Sequence, residues 1–321
     1  MRALIHCQFK IFKDSDMRTA IISHPLCRRH KMTAEHPECA ERLDAIADRI
    51  LASGLDIAVT HLMAPKAELS HYALAHNEEH VERVLNSIPE QGLVDLDGDT
   101  WLCKDSLKAI ERAVGAGIMA VDEVLGGRHD AAFCSVRPPG HHAYEDQSAG
   151  FCVFNNVAIA TKYAQSKGVK RIAILDIDVH HGDGTQAIVK SDPNVLFCSL
   201  FQYPFYPNTE IENTDTVVNS PLPVASDGTD LRALYTQQWQ PKLRDFQPEL
   251  IIISAGFDAH LEDDMGGLKF VENDYAWLTL QIAQLSKELD CLGIISYLEG
   301  GYELSSLGRS VETHVRTLAE Y

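Results

Sequence analysis

The sequence predicts an α/β protein built on a parallel β-sheet that helices flank on both faces. Apolar stretches rich in Val, Ile and Leu recur along the 321-residue chain without polar alternation, as expected of buried parallel strands. Amphipathic helical segments separate these stretches, and alternating strands and helices favour a parallel sheet. No linker, charge block or repeat divides the chain. We therefore expect one domain over residues 17–321, preceded by an N-terminal extension, residues 1–16, of uncertain role.

Seven strands are expected where short apolar runs are bounded by Gly, Pro or charged residues. In chain order they cover residues 19–23, 57–61, 131–136, 171–179, 194–200, 250–256 and 291–298. Six helices are expected where apolar residues recur at helical spacing. They cover residues 38–53, 104–125, 153–167, 230–246, 271–289 and 305–318.

Composition bears on partners and location. The net charge of −18 argues against a nucleic-acid partner, because nucleic-acid binders usually carry a basic patch. It suits either attraction of a cationic substrate or simple solubility. No apolar run is long enough to span a bilayer and no signal-peptide pattern is visible, so we expect no membrane partner and a cytoplasmic location. The eight cysteines form no Cys-x-x-Cys pair, which indicates free thiols in a reducing compartment.

The strand expected at 171–179 ends in residues that suit a metal ion. Asp178 and His180 lie two positions apart, so on an extended backbone both side chains project to the same face. Buried carboxylates and imidazoles are costly unless they bind something. Asp258, after the strand expected at 250–256, is a candidate third ligand or, alternatively, a helix N-cap. Three protein ligands and an open fourth position are typical of catalytic zinc.

Two other expected strand ends are followed by side chains that can act as acids, bases or hydrogen-bond donors. The run 131–136 leads into Arg137-Pro-Pro-Gly-His-His-Ala-Tyr144, and the run 291–298 leads into Glu299-Gly-Gly-Tyr302. In open parallel sheets, ligands bind outside the carboxyl ends of the strands, so these segments are expected to meet. The loop 201–208, rich in Pro, Phe and Tyr, predicts either an aromatic wall beside the site or an aromatic cluster that packs loops onto the sheet.

Six motifs in this chain resemble those of the zinc-dependent histone deacetylase family, which includes bacterial deacetylases and acetylpolyamine amidohydrolases. They are His36-Pro-Glu-Cys-Ala-Glu-Arg-Leu43, Arg137-Pro-Pro-Gly-His-His-Ala143, Gly150-Phe-Cys-Val-Phe-Asn-Asn156, Asp176-Ile-Asp-Val-His-His-Gly-Asp-Gly184, Ser254-Ala-Gly-Phe-Asp258 and Glu299-Gly-Gly-Tyr302. The resemblance implies the arginase/deacetylase fold. It also implies removal of an acetyl or related acyl group from an acetylated amine, either an acetyl-lysine side chain or an acetylated polyamine.

The resemblance implies a role for each matching residue. The zinc ligands would be Asp178, His180 and Asp258. The catalytic residues would be His141 paired with Asp176, His142 paired with Asp183, and Tyr302. A structural potassium ion would be bound by Asp176, Ser199 and Leu200 with the backbone of Asp178 and His180. The walls and rim of an acyl-lysine tunnel would be formed by Gly150, Phe151, Tyr206, Met265 and Asp99.

Amide hydrolysis needs an activated carbonyl, a base for the attacking water and an acid for the departing amine. Zinc is expected to activate the water and the carbonyl. We expect His142 to act as base and then acid, His141 as an electrostatic helper, and Tyr302 as a hydrogen-bond donor to the developing oxyanion.

Two departures from the family pattern bear on the substrate. Tyr206 stands where Phe is common, which makes the tunnel more polar. Met265 stands where polyamine-selective eukaryotic members carry Glu, which weakens a polyamine substrate without excluding it. Two less favoured alternatives are a ureohydrolase with two manganese ions, which would need further bridging aspartates, and a non-catalytic acyl-binding protein. A homo-oligomer stays possible.

Overall fold

The computed structural model describes residues 18–321, so the expected extension 1–16 and Met17 lie outside the described residues. The strands are β1 (Thr19–Ser23), β2 (Thr60–Met63), β3 (Leu93–Asp95), β4 (Trp101–Cys103), β5 (Ala131–Ser135), β6 (Ile172–Asp176), β7 (Val195–Gln202), β8 (Val217–Leu222), β9 (Leu250–Ala255) and β10 (Ile294–Leu298). The α-helices are α1 (Glu41–Ser53), α2 (Leu69–Tyr72), α3 (Glu78–Asn86), α4 (Ser106–Leu125), α5 (Asn156–Ser166), α6 (Asp183–Val189), α7 (Gly228–Leu234), α8 (Gln240–Phe246), α9 (Glu272–Glu288) and α10 (Leu304–Glu320).

Eight strands form one sheet in the order β2-β1-β5-β10-β9-β6-β7-β8, and every neighbouring pair is parallel. The five strands β5, β6, β7, β9 and β10 are buried along their whole length. Their continuous apolar sequences follow from this, because a parallel strand covered on both faces has no solvent-exposed side. The predicted fold class is confirmed.

Helices flank this sheet. Helix α1 packs against α10 and α10 against α9, while α4 packs against α5. The helices α4 and α10 both also contact β1 and β5. Within residues 18–321, no helix combines the length and the apolar character that crossing a bilayer demands.

Several elements differ from the sequence-based expectation. The strand expected at 57–61 is β2 at Thr60–Met63, and a 3₁₀ turn occupies Leu55–Ile57. The edge strand β8 was not predicted, because Asn219, Ser220 and Pro221 interrupt its apolar pattern; proline is tolerated there since an edge strand has unpaired N–H groups. The short elements α2, α3, α6, β3 and β4 were also missed. The helix expected at 230–246 consists of α7, a π-helical turn at Tyr235–Trp239 and α8.

The parallel arrangement brings distant segments together. The carboxyl ends of parallel strands share one edge of the sheet, and the loops that leave them meet there. In this chain those loops include residues 136–155 after β5, 177–182 after β6, 203–216 after β7, 256–271 after β9 and 299–303 after β10. Every candidate site residue except Asp99, Asp176, Asp183, Ser199 and Leu200 comes from these loops.

Candidate metal centre and active site

Asp178, His180 and Asp258 come together in the structure. Each offers one ligand atom, these atoms all lie within 4.8 Å of one another, and all three side chains are buried. The strand β6 ends at Asp176, so Asp178 and His180 lie in the loop after it rather than on an extended strand, which corrects the expected range 171–179. The next α-helix after Asp258 begins at Glu272, so the helix N-cap alternative for Asp258 is wrong.

The cluster has the chemistry of a divalent metal site. The Oδ2 atom of Asp258 is buried without a hydrogen-bond partner, although His180 Nδ1 lies 3.3 Å away. His180 Nδ1 also lies 3.0 Å from Asp178 Oδ1. Burial raises the pKa of Asp258 to about 7, and the Asp178 carboxylate adds to this effect. Two carboxylates and one imidazole around a common point therefore fit a divalent cation, and this donor set is one that zinc accepts.

The backbone around the cluster fixes its carboxylates. The amide of Val179 donates to Asp258 Oδ1 at 2.9 Å, and the amide of Gly300 donates to Asp178 Oδ2 at 2.8 Å. A Cβ atom at Gly300 would lie 1.9 Å from Asp258 Oδ2, so only glycine permits this approach of the β10 loop. Such outer contacts orient candidate ligands before a metal arrives.

The two tandem histidines have different partners. His141 Nδ1 lies 3.1 Å from Asp176 Oδ2, and His142 Nδ1 lies 2.7 Å from Asp183 Oδ1. Both imidazoles are buried, with ring centroids 4.0 Å apart. The structure therefore contains both histidine–aspartate pairs that the family resemblance implies.

The surroundings of His141 and His142 shift the pKa values of the two imidazoles in opposite directions. Burial alone lowers the pKa of His141, but the Asp178 and Asp176 carboxylates outweigh it and hold that pKa well above its usual range. Burial lowers the pKa of His142 to about 4, and the neighbouring cationic His141 contributes to this decrease. The surroundings thus favour positive charge on His141 and the neutral imidazole on His142.

A pocket with a volume of about 290 Å³ opens onto this cluster. It brings together all five residues expected to form the tunnel, with His142, His180, Tyr302, Phe205 and Asp264 as further lining residues. The Phe205 ring stacks on His180 with centroids 5.4 Å apart, and the Tyr206 ring meets His142 edge-on at 5.2 Å. The expected aromatic wall is therefore present. Phe205 and Asp264 were not singled out from the sequence.

A model of the histone deacetylase domain matches residues 36–318. The chain belongs to the histone deacetylase family. An uncharacterized protein of Synechocystis sp. is 39% identical over 93% of this chain and 99% of its own length. Human polyamine deacetylase HDAC10 is 35% identical over 94% of this chain, which spans 48% of that longer protein. The crystal structure of the HDA15 HD domain matches with a TM-score of 0.87 and 30% identity, over 95% of this chain and 90% of that one. The arginase/deacetylase fold is confirmed.

In this histone deacetylase family member, two buried acidic residues brace the site loops. Glu299 Oε2 accepts the amides of Gly140 at 2.7 Å and His141 at 3.2 Å, which fixes the start of the tandem-histidine loop. Asp263 Oδ2 accepts the amide of Tyr302 at 2.6 Å, and its Oδ1 accepts that of Met265 at 2.9 Å. The bonds from Glu299 to Gly140 and His141 and from Asp263 to Tyr302 join residues far apart along the chain, so no local pattern in the sequence indicates them.

The rim of the pocket carries negative charge. Asp99 follows β3 in a loop where Asp97 caps the amides of Asp99 and Thr100. Burial raises the pKa of Asp99 to about 6, and Asp97 adds to the effect. Thr100 Oγ1 in turn accepts the amide of Phe151 at 2.9 Å. This bond connects the acidic loop to the aromatic wall of the deacetylase pocket.

The residues expected to bind potassium lie on adjacent strands. Asp176 on β6 pairs with Ser199 on β7, and Leu200 follows it. The hydroxyl of Ser199 is buried and has no hydrogen-bond partner. A buried hydroxyl is costly without a partner, so this atom is the one observation that favours a cation there.

Proposed function

We propose that this protein is a zinc-dependent deacetylase that removes an acetyl group from an acetylated amine, with an acetyl-lysine side chain as the leading substrate and an acetylated polyamine as the alternative. One observation carries the proposal. A buried triad of Asp178, His180 and Asp258, with an unsatisfied carboxylate oxygen, lies beside the uncharged imidazole of His142. Family membership supports the same activity.

A zinc ion held by Asp178, His180 and Asp258 would supply a Lewis acid for the acetyl carbonyl and lower the pKa of a water molecule. His142 donates its Nδ1 proton to Asp183, so its Nε2 is free to accept a proton from the attacking water. The same nitrogen then gives that proton to the departing amine. His141 supplies positive charge nearby. The Tyr302 hydroxyl donates to the carbonyl oxygen as negative charge develops on it.

The pocket supports a slender substrate with a distal positive charge. The aromatic faces of Phe151, Phe205 and Tyr206 suit a chain of methylene groups. Asp99 and Asp264 at the rim suit a cation beyond it. Both an acetyl-lysine beside basic residues and an acetylated polyamine have this chemistry. Human HDAC10, a polyamine deacetylase by name, is a relative, but Met265 replaces the Glu that the polyamine-selective pattern carries, so we favour acetyl-lysine.

Further parts of the proposal concern the second ion, the domain and the location. Ser199 Oγ and Asp176, with Leu200 and the backbone of Asp178 and His180, would bind a structural potassium ion. The domain would extend over residues 17–321. All seven cysteines in the described part of the chain are free thiols, which supports a reducing compartment such as the cytoplasm.

The catalytic assignment is tested with His142→Asn and Tyr302→Phe. We expect each variant to bind about one zinc per chain, measured by elemental analysis, and to lose at least about 10²-fold in kcat on an acetyl-lysine peptide. Tyr163→Phe is a matched control, because the Tyr163 hydroxyl bonds Asp122 away from the site. Wild-type rates in both active-site variants would contradict the mechanism.

Substrate and metal are tested on one preparation of the wild-type protein. Turnover is compared on acetyl-lysine peptides, acetylputrescine and acetylspermidine, and we expect the peptides to give the highest kcat/KM. Two manganese ions per chain would instead indicate the ureohydrolase alternative. The second cluster of possible ligands in the described residues, His141, Cys152 and Glu299, contains a thiol, which is a poor ligand for manganese.

A further inference from the structure

We propose that Tyr144 is a positioning residue for the deacetylation reaction, because its hydroxyl holds the aspartate that orients His142. The inference rests on the proposed function. Tyr144 immediately follows the motif Arg137-Pro-Pro-Gly-His-His-Ala143, and the sequence pattern gave it no specific role. Tyr144 is not among the residues that line the pocket of about 290 Å³, and its hydroxyl contacts the site through Asp183.

The hydrogen bonds form a short relay. The Tyr144 hydroxyl donates to Asp183 Oδ2 at 2.6 Å. The other carboxylate oxygen, Asp183 Oδ1, accepts from His142 Nδ1 at 2.7 Å and from the amide of Gly184 at 3.0 Å. Each oxygen of Asp183 therefore has its own donors. The carboxylate cannot rotate about its Cβ–Cγ bond without losing either the tyrosine or the histidine.

The backbone of Tyr144 is also held by hydrogen bonds. Its carbonyl accepts from His76 Nδ1 at 2.9 Å, and its amide donates to the carbonyl of Gln147 at 2.9 Å. His76 is buried, and its Nε2 accepts the amide of Asn155 at 2.9 Å. The backbone of Tyr144 is thus held on both sides, by the buried His76 ring and by the carbonyl of Gln147, which gives its hydroxyl a defined position relative to Asp183.

This arrangement matters because Asp183 is the hydrogen-bond partner of the His142 ring, whereas the neighbouring His141 ring, with centroids 4.0 Å apart, makes only a packing contact. The His142 ring also meets the edges of His180 and Tyr206, which limit tilting but do not define which nitrogen carries the proton. The bond to Asp183 does define it. Without the Tyr144 hydroxyl, Asp183 Oδ2 loses its hydrogen-bond donor and the carboxylate is held through Oδ1 alone, so it is less firmly oriented. The Nε2 atom of His142 is then oriented towards the reacting water for a smaller fraction of the time.

The first test is Tyr144→Phe, which removes one hydroxyl and keeps the ring. We expect kcat to fall by about fivefold to thirtyfold with KM within about twofold of wild type and zinc content unchanged, since the lost bond is to a charged group that acts only through His142. Tyr163→Phe, which removes a tyrosine–aspartate bond far from the site, is the matched control. A rise in KM with unchanged kcat would assign Tyr144 to substrate binding and overturn the proposal.

A double-mutant cycle with Asp183→Asn identifies the route of the effect. If Tyr144 acts through Asp183, the Tyr144→Phe change should lower kcat by less than about twofold in the Asp183→Asn background. Full additivity of the two losses would show that Tyr144 acts by another path, and would reject the proposal.

A third readout is independent of substrate. The proton shared by His142 Nδ1 and Asp183 should give a downfield resonance in the proton NMR spectrum of the zinc-loaded protein, absent in His142→Asn. We expect Tyr144→Phe to shift or broaden it, and Tyr163→Phe to leave it unchanged. If Tyr144→Phe does not fold, Tyr144→3-fluorotyrosine, which keeps the hydroxyl but makes it a stronger donor, should shift the same resonance. An unmoved resonance refutes the positioning role, whereas an inactive wild-type protein with a shifted resonance refutes only the proposed function.

Discussion

At the scale of single residues, the unsatisfied oxygen of Asp258 is a costly feature of the site. A buried carboxylate without a hydrogen-bond partner is strongly unfavourable, and here it lies beside a second carboxylate, Asp178. A divalent cation removes both costs at once. Without a metal, the carboxylates of Asp178 and Asp258 either bind an additional proton or repel each other. The residues that suit metal binding therefore destabilise the metal-free protein.

We expect Asp258→Asn to weaken zinc binding by at least about tenfold, because the amide supplies a neutral oxygen in place of a charged one. Zinc affinity is measured by competition with a fluorescent chelator. The matched control is Asp274→Asn, a buried aspartate paired with Arg232 in another part of the molecule. Unchanged zinc affinity in Asp258→Asn would remove this residue from the ligand set.

At the scale of elements, the loop after β10 positions both the candidate metal ligands and the tandem histidines. Gly300 packs against Asp258 and Asp178, Glu299 holds the amides of Gly140 and His141, and Arg42 Nε donates to the carbonyl of Gly301 at 2.6 Å. The Arg42 guanidinium also lies 4.8 Å from the centre of the Tyr302 ring. A four-residue turn therefore sets the distance between the candidate ligands, the tandem histidines and the tyrosine.

We expect Gly300→Ala to lower zinc occupancy and deacetylation together, because its Cβ atom would lie 1.9 Å from Asp258 Oδ2. Excess zinc should not restore activity. Gly54→Ala is the control, since Gly54 ends α1 in the left-handed region with open space around it. That change should cost about 1 kcal/mol of stability and leave zinc binding intact. Equal zinc binding in both variants would show that the close approach of Gly300 is unimportant.

At the scale of the whole molecule, buried neutral histidines make stability depend on pH. Burial lowers the pKa of His314 to about 4, and its ring nitrogens bond the hydroxyls of Thr279 and Ser296. His30 and His76 are shifted in the same direction, to about 4 and about 3. The unfolded chain therefore binds more protons than the folded one between about pH 4 and pH 6.5. The stabilisation is complete above pH 6.5 and is lost as the pH falls.

We expect His314→Asn to flatten the decline in the free energy of unfolding between pH 6.5 and pH 4. The effect should be on the order of 3 kcal/mol for one histidine whose pKa falls from its usual value to about 4. Urea unfolding at several pH values measures it. His61→Asn, at an exposed position on β2, is the control and should leave the slope unchanged. An identical slope in His314→Asn would mean that His314 does not titrate on unfolding.

Metal removal is also expected to affect the whole molecule. Zinc that binds only the folded chain stabilises it by RT ln(1 + [Zn]/Kd), about 4 kcal/mol at a thousandfold excess over Kd. A chelator should therefore lower the Tm of the wild-type protein by several degrees and lower that of Asp258→Asn much less. Equal shifts in the two proteins would place the stabilising metal elsewhere.

Sequence reasoning identified the parts of the fold and site that leave a local pattern. Buried parallel strands have continuous apolar sequences, so the central strands were located, and the cluster of Asp178, His180 and Asp258 was assembled because all three follow such strands. The end of β6 was placed three residues too late, since Ile177 and Val179 extend the apolar run beyond it. Glu299, Asp263 and Tyr144 were missed as supporting residues. Their partners are backbone amides or side chains from remote segments, and only the folded topology brings them within reach.

The residues at the mouth of the pocket come from separate loops, with Asp99, Phe151, Tyr206 and Met265 each on a different segment. The candidate ligands and tandem histidines are instead tied to one another through a shared set of buried bonds. Substitution of one residue at the pocket entrance can thus alter which amine binds, while the candidate ligands and the tandem histidines keep their positions. Substrate selectivity can therefore change through substitutions in a single loop, while the catalytic residues stay the same.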